Sequence, residues 1–145
     1  MLKVYFAGSI NGGTFERQAE TYQAIIQTIK ENAELVSLHE AVTGIHNSHL
    51  APWQVHDRDI AWLNEANMLI AEVSAPSTGV GYEIGYARFI RRIPVLCLRQ
   101  AYTRPSFLID GNVYILNYTY TAIHEAQLAT KQFIEGTLKL LPPPY

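Results

Sequence analysis

Short, unbroken apolar runs that alternate with helix-period segments constrain this chain more than any other feature. Lys3-Val4-Tyr5-Phe6-Ala7-Gly8, Met68 to Val73 and Ile93 to Leu98 are hydrophobic almost throughout, not at every second position. That continuity fits strands covered on both faces. Thr14 to Ala33 places Ala19, Tyr22, Ile25, Ile26 and Ile29 at helical spacing. Val55 to Asn67 does so with Ile60 and Leu63, and Val80 to Arg91 with Val80, Ile84, Ala87 and Ile90. Leu35 to Leu38 and Val113 to Leu116 read as two more strands, and Thr43 to Pro52 as a loop. A last helix runs from about Ala122 to Leu141, before Pro142-Pro143-Pro144-Tyr145. The order β-α-β-α-β-α-β-loop-β-α predicts an α/β fold: one domain, residues 1–145, with a parallel sheet of about five strands between helices.

Composition narrows the function. The 145 residues are 48% hydrophobic and 17% charged, a globular balance with core enough for one domain. A formal charge of −2 with no basic run argues against a duplex nucleic-acid binder and for a small-molecule partner. The lone Cys97, inside Ile93 to Leu98, cannot form an internal disulfide and reads as strand packing. No signal-peptide pattern opens the sequence, and no apolar stretch approaches the ~20 residues that span a bilayer. A cytoplasmic, soluble protein is the expectation.

In a parallel sheet, ligands bind at the carboxyl ends of the strands, near the switch in strand order. The turns after Gly8, Val73 and Leu98 are therefore the places to look. Gly8-Ser9-Ile10-Asn11-Gly12-Gly13 lets a ligand approach the backbone at a helix N-terminus, but equally fits a plain tight turn. It matches neither the dinucleotide fingerprint nor a P-loop. Ser74-Ala75-Pro76-Ser77-Thr78-Gly79-Val80-Gly81-Tyr82-Glu83-Ile84-Gly85 is more pointed, with a hydroxyl and an amide at a helix start and Glu83 in the first turn. A glutamate there also suits the helix dipole, so position alone leaves both readings open; the glycines favour function. Asp57 and Asp59, beside His56, open the second helix. They fit either a solvated helix start or the second carboxylate of glycosidic chemistry. His46 and His49 read as loop residues without zinc spacing, and no nucleophile elbow is present. Neither metal nor cofactor is expected.

Taken in order, four segments resemble the nucleoside 2-deoxyribosyltransferase superfamily, and within it the 2′-deoxynucleoside 5′-monophosphate N-glycosidases. They are Tyr5-Phe6-Ala7-Gly8-Ser9-Ile10-x-Gly12-Gly13, Asp59-x-x-Trp62-Leu63-x-x-Ala66, Ala71-Glu72-Val73 and Pro76-Ser77-x-Gly79-Val80-Gly81-Tyr82-Glu83-x-Gly85. The resemblance runs from the first strand to at least Gly111. It implies a doubly wound, Rossmann- or flavodoxin-like sheet and a double displacement, which splits one difficult step into two easier ones. Glu83 would attack the anomeric carbon, and Asp59 would assist the leaving base by proton transfer or hydrogen bonding. Tyr5 would hold Glu83 and close off the 2′ side of the sugar. Gly8, Ser9, Ile10, Gly12, Ser77, Gly79, Ser106 and Leu108 would bind substrate and its phosphate, with the Ser106 segment reaching across a homodimer interface.

The same resemblance separates the substrates. Nucleoside transferases carry an acidic residue at the position of Ser77 and an amide at that of Ser106, for the free 5′-hydroxyl. Serines suit a phosphate, which a carboxylate would repel. Two features keep base exchange on free nucleosides as the rival. Asn11 stands where the vertebrate hydrolases would have an arginine, and Tyr145 matches the aromatic end of many transferases. A nucleotide-binding module without turnover is the remaining alternative, set against by the joint presence of Tyr5, Asp59 and Glu83. Ribose and deoxyribose substrates both stay open. His39 and Trp53 fit base contact and packing equally.

Overall fold

The computed structural model describes residues 1–10, 15–37 and 49–138. Five strands, β1 (Lys3–Gly8), β2 (Glu34–Leu35), β3 (Met68–Glu72), β4 (Val95–Gln100) and β5 (Leu116–Tyr120), pair in parallel throughout. Their order is β2-β1-β3-β4-β5, the flavodoxin-like winding, in which the direction of strand addition reverses between β1 and β3. Gly8 stands opposite Glu72 in that register, so the turns leaving β1 and β3 emerge side by side at the switch point.

The apolar runs are continuous because each face of the sheet buries alternate residues. Val4, Phe6, Ile70, Leu96 and Leu98 pack under α1 (Phe15–Asn32) and α5 (Ile123–Glu135), against Tyr22, Ile25, Ile29, Ala129 and Phe133. Tyr5, Ala7, Leu69, Ala71, Val95 and Cys97 pack on the other face under α2 (Pro52–Glu65) and α3 (Thr78–Gly85), against Leu63, Val80 and Ile84. Cys97 is buried in this second layer, the packing residue expected. A π-helical turn, Tyr86–Ile90, prolongs α3, and a short helix α4 (Phe107–Asp110) interrupts the segment read as polar loop. No helix among the described residues is long and apolar enough to cross a membrane.

Several boundaries differ from the sequence expectation. The second strand is cut to two residues because Ser37 replaces the ladder: its Oγ accepts from Phe6 N at 3.0 Å and donates to Phe6 O at 3.2 Å. Helix α2 starts at Pro52 and not Val55, with proline at the position where its missing N–H costs nothing. The last strand lies at Leu116–Tyr120 and not Val113 to Leu116, since Asn112 Oδ1 accepts from Tyr114 N at 2.9 Å and holds that stretch in a turn. Helix α5 stops at Glu135 because Gly136 adopts φ +80°, a left-handed stop that glycine takes without strain.

Candidate active site

Helix α3 carries the sharpest group of side chains. Its N-cap is Ser77, whose Oγ accepts from Val80 N at 3.3 Å. Glu83 lies in the second turn, not the first, and that extra turn aims it back across the sheet face. There the buried Tyr5 hydroxyl, from the middle of β1, donates to Glu83 Oε2. Oε1 accepts no hydrogen bond among the described residues. One oxygen is therefore anchored and the other is left without a partner among the described residues, in a side chain that lines a cavity. Residues 5 and 83 share no sequence spacing; only the pairing of β1 with β3 and the crossover into α3 brings them together.

The cavity beside Glu83 has a volume of about 290 Å³. Asp59, Ile60, Leu63 and His56 of α2 form one wall, and Thr78, Gly79, Tyr82 and Glu83 the other. Burial, above all, pushes the Glu83 carboxyl up from 4.5 to about 7. The Tyr5 bond and the Arg58 charge oppose that rise, whereas Asp59 adds to it. The Tyr5 phenol is held far above its ordinary range, first by burial and then by the Glu83 and Asp59 charges, so it remains the donor.

Asp59 does not stand alone. Its Oδ1 accepts from Arg58 Nε at 2.9 Å and Nη2 at 2.8 Å, and the Arg58 guanidinium lies 4.6 Å over the Trp62 ring. Oδ2 has no hydrogen-bond partner among the described residues. His56 and Tyr82 meet across the cavity mouth, with Nε2 3.2 Å from the phenol oxygen and the rings edge-on at 5.9 Å. Asp57 lies outside this group; its Oδ1 is 3.0 Å from His56 Nδ1.

A second cavity, about 620 Å³, opens on the opposite flank of α3 and meets the first at Thr78. It is mainly apolar and is bordered by Ser77, Gly81, Gly85, Ser106, Leu108 and Ile115. The expected substrate set is thus divided: Gly79 faces the Glu83 side, while Ser77, Ser106 and Leu108 face the other. Gly8, Ser9 and Ile10 border neither cavity, and Gly12, Asn11, His39, His46 and Tyr145 lie outside the described residues. Gly8 has its own reason: a Cβ there would sit 2.9 Å from the ring of Tyr22 on the α1 side of the sheet. Tyr22 also donates to Ser9 O at 3.2 Å, pinning the turn from below.

Beneath the β3 turn sits a buried carboxylate that the sequence reading treated as strand. Glu72 Oε1 accepts from Ser74 N at 2.5 Å, and Oε2 accepts from Ser74 Oγ at 3.1 Å and Tyr120 Oη at 2.8 Å. Ser74 Oγ in turn accepts from Gln100 N at 2.9 Å. The turn leading to Ser77 is thereby tied to the ends of β4 and β5. Arg58 and Tyr82 were likewise missed as site residues. Their signal was the pattern 56, 59, 60, 63, which sets one face of α2 against α3, with Arg58 and Trp62 at i, i+4.

Residues 4–119 match the model of the nucleoside 2-deoxyribosyltransferase family. A Trichoplax adhaerens protein provisionally named 2′-deoxynucleoside 5′-phosphate N-hydrolase 1 is 36% identical over 130 residues, 88% of each chain. A 5-hydroxymethyl-dUMP N-hydrolase of Esox lucius is 38% identical over 102 residues, covering 67% of this chain and 68% of its own. The structure of the CMP N-glycosidase BcmB of Clostridium botulinum superposes with a TM-score of 0.67 at 19% identity, over 90% of this chain and 98% of that one. At that identity the likeness is one of fold.

Proposed function

The chain belongs to the nucleoside 2-deoxyribosyltransferase family, and from that membership we propose that it hydrolyses the N-glycosidic bond of (2′-deoxy)nucleoside 5′-monophosphates. The products are the free base and the (deoxy)ribose 5-phosphate. The observation that carries this reading is the hydrogen bond from Tyr5 to Glu83 at the wall of a cavity shared with Asp59. A carboxylate fixed by one oxygen and open at the other is arranged as a nucleophile.

In the first step Glu83 Oε1 forms a bond to the anomeric carbon as the C1′–N bond breaks, and the bonding pair leaves with the base. Asp59, on the facing wall, supports that departure. In the second step water adds to the anomeric carbon, the bond from that carbon to Glu83 breaks to release the carboxylate, and the proton the water loses balances the one the departed base takes up. The substrates in the names of the two relatives described above, a 2′-deoxynucleoside 5′-phosphate and 5-hydroxymethyl-dUMP, favour a phosphorylated sugar. Ser77 and Ser106 supply hydroxyl groups and no opposing charge, as a phosphate requires.

The reading includes a homodimer. Phe107 is 78% and Leu108 87% exposed beside the larger cavity. Apolar side chains so placed suit burial against a second copy. Among the described residues, an alanine methyl at Gly81 or Gly85 would meet nothing within 4 Å, so neither glycine is required by their packing. A substrate phosphate or a partner segment would occupy that space.

Base release from a panel of deoxyribonucleoside and ribonucleoside 5′-monophosphates and free nucleosides, with and without an acceptor base, tests the proposal. Release from monophosphates without acceptor is the expected result. Base exchange confined to free nucleosides would overturn it in favour of the transferase reading.

A further inference from the structure

Two carboxylates facing one small, partly desolvated cavity tend to share a proton, because like charges at close range cannot both ionise cheaply. A nucleophilic Glu83 needs the opposite: it must be ionised while Asp59 stands across from it. Among the described residues, the titratable and charged groups that face Glu83 are Tyr5 from β1, His56, Arg58 and Asp59 from α2, and Tyr82 from its own helix. The β3 residues on this face, Leu69 and Ala71, carry no charge, and Glu72 points into the opposite layer, with Tyr120. Arg58 is the one permanent cation among these groups.

We propose, resting on the function above, that Arg58 is the positioning residue of this site. It fixes Asp59 by one oxygen and supplies a positive charge that favours the ionised form of Glu83 across from Asp59. The geometry is that of a held group and not of a loose surface pair. Two guanidinium nitrogens converge on Asp59 Oδ1, and the guanidinium is stacked on Trp62. Side-chain exposures of 27% for Arg58 and 26% for Asp59 leave the pair partly buried, with Asp59 at the cavity wall. Oδ1 being taken, Oδ2 is the oxygen presented to the leaving base. The direction of the Arg58 effect on Glu83 agrees: its charge lowers the carboxyl that burial raises.

The test compares Arg58→Gln and Arg58→Lys with the unaltered chain. The acid limb of kcat/KM for a deoxynucleoside monophosphate should move about one pH unit upward in Arg58→Gln. Activity would then fall roughly tenfold at pH 6 and recover by pH 9. Arg58→Lys keeps the charge without the fork and should restore most of the limb. An independent reading uses ¹³C-labelled glutamate, with Glu83→Gln identifying the Glu83 carboxyl resonance, and follows that resonance with pH in each protein. It requires no turnover, so it succeeds or fails whatever the substrate. Superimposable Glu83 titrations in Arg58→Gln and the unaltered chain would overturn the inference. So would an Arg58→Lys profile displaced as far as that of Arg58→Gln, since packing on Trp62 would then be the whole role.

Discussion

Glu83→Gln removes a charge that folding must bury, and its effect on stability can be worked out from the site. The carboxyl rises from 4.5 to about 7, with burial as the largest cause. Below pH 4.5 both folded and unfolded chains hold the proton and no penalty exists. Between pH 4.5 and about 7 the unfolded chain ionises first, so stability falls as pH rises; above about 7 the whole penalty stands. A displacement of that size corresponds to roughly 3 kcal/mol. Glutamine keeps the shape and an acceptor for the Tyr5 hydroxyl but has no proton to lose. Thermal melts of the two proteins from pH 4.5 to 8.5 check the reasoning. They should melt close together at the acid end and separate through neutrality. The variant should end higher by roughly 6–12 °C, at about 2–4 °C per kcal/mol for a chain of this size. A gap that stays flat with pH, or an unaltered chain more stable at pH 8, would show that the Glu83 charge is not costly to fold. The same variant should release no base, which ties the stability gained to the catalysis lost.

Further outcomes follow from single contacts. Gly8→Ala should lower stability by about 1–3 kcal/mol in urea titration, because the new methyl meets the buried Tyr22 ring at 2.9 Å. A cost under about 0.5 kcal/mol would mean that the ring yields freely. Ser77→Asp should raise KM for monophosphates at least tenfold while leaving kcat within a few fold, a charge opposing the phosphate. Unchanged efficiency would remove Ser77 from phosphate binding.

What could be read from the sequence tracks the range of the interactions involved. β1, β3 and β4 were legible because a strand buried on both faces writes itself as an unbroken apolar run. β5 was not, because it reads Leu-Asn-Tyr-Thr-Tyr at the sheet edge, and Asn117 Nδ2 donates to Ile109 O at 2.8 Å. The start of α2 was hidden because Ala51 offers no capping oxygen; Gln54 Oε1 accepts from Ala51 N instead, at 2.8 Å. Glu83 and Asp59 stood out in glycine-rich and acidic surroundings, whereas Tyr5 rested on resemblance alone, its partner being 78 residues away. Arg58 drew no reading of its own, lying in a stretch that fitted a solvated helix start. Only the approach of α2 to α3 turns its guanidinium toward two carboxylates, and adjacency in sequence does not convey that.

Gly81 and Gly85 lie within an α-helix, where glycine costs up to about 1 kcal/mol against alanine, and no close neighbour among the described residues excuses either. Helix α3 therefore holds its shape through the Ser77 cap and the buried anchors Val80 and Ile84 more than through its own propensity. Any programme that hardens this protein by filling helices with alanine would find these two positions among the easiest gains. It would be spending the free space beside the site to make them, so heat resistance and turnover should part company there first.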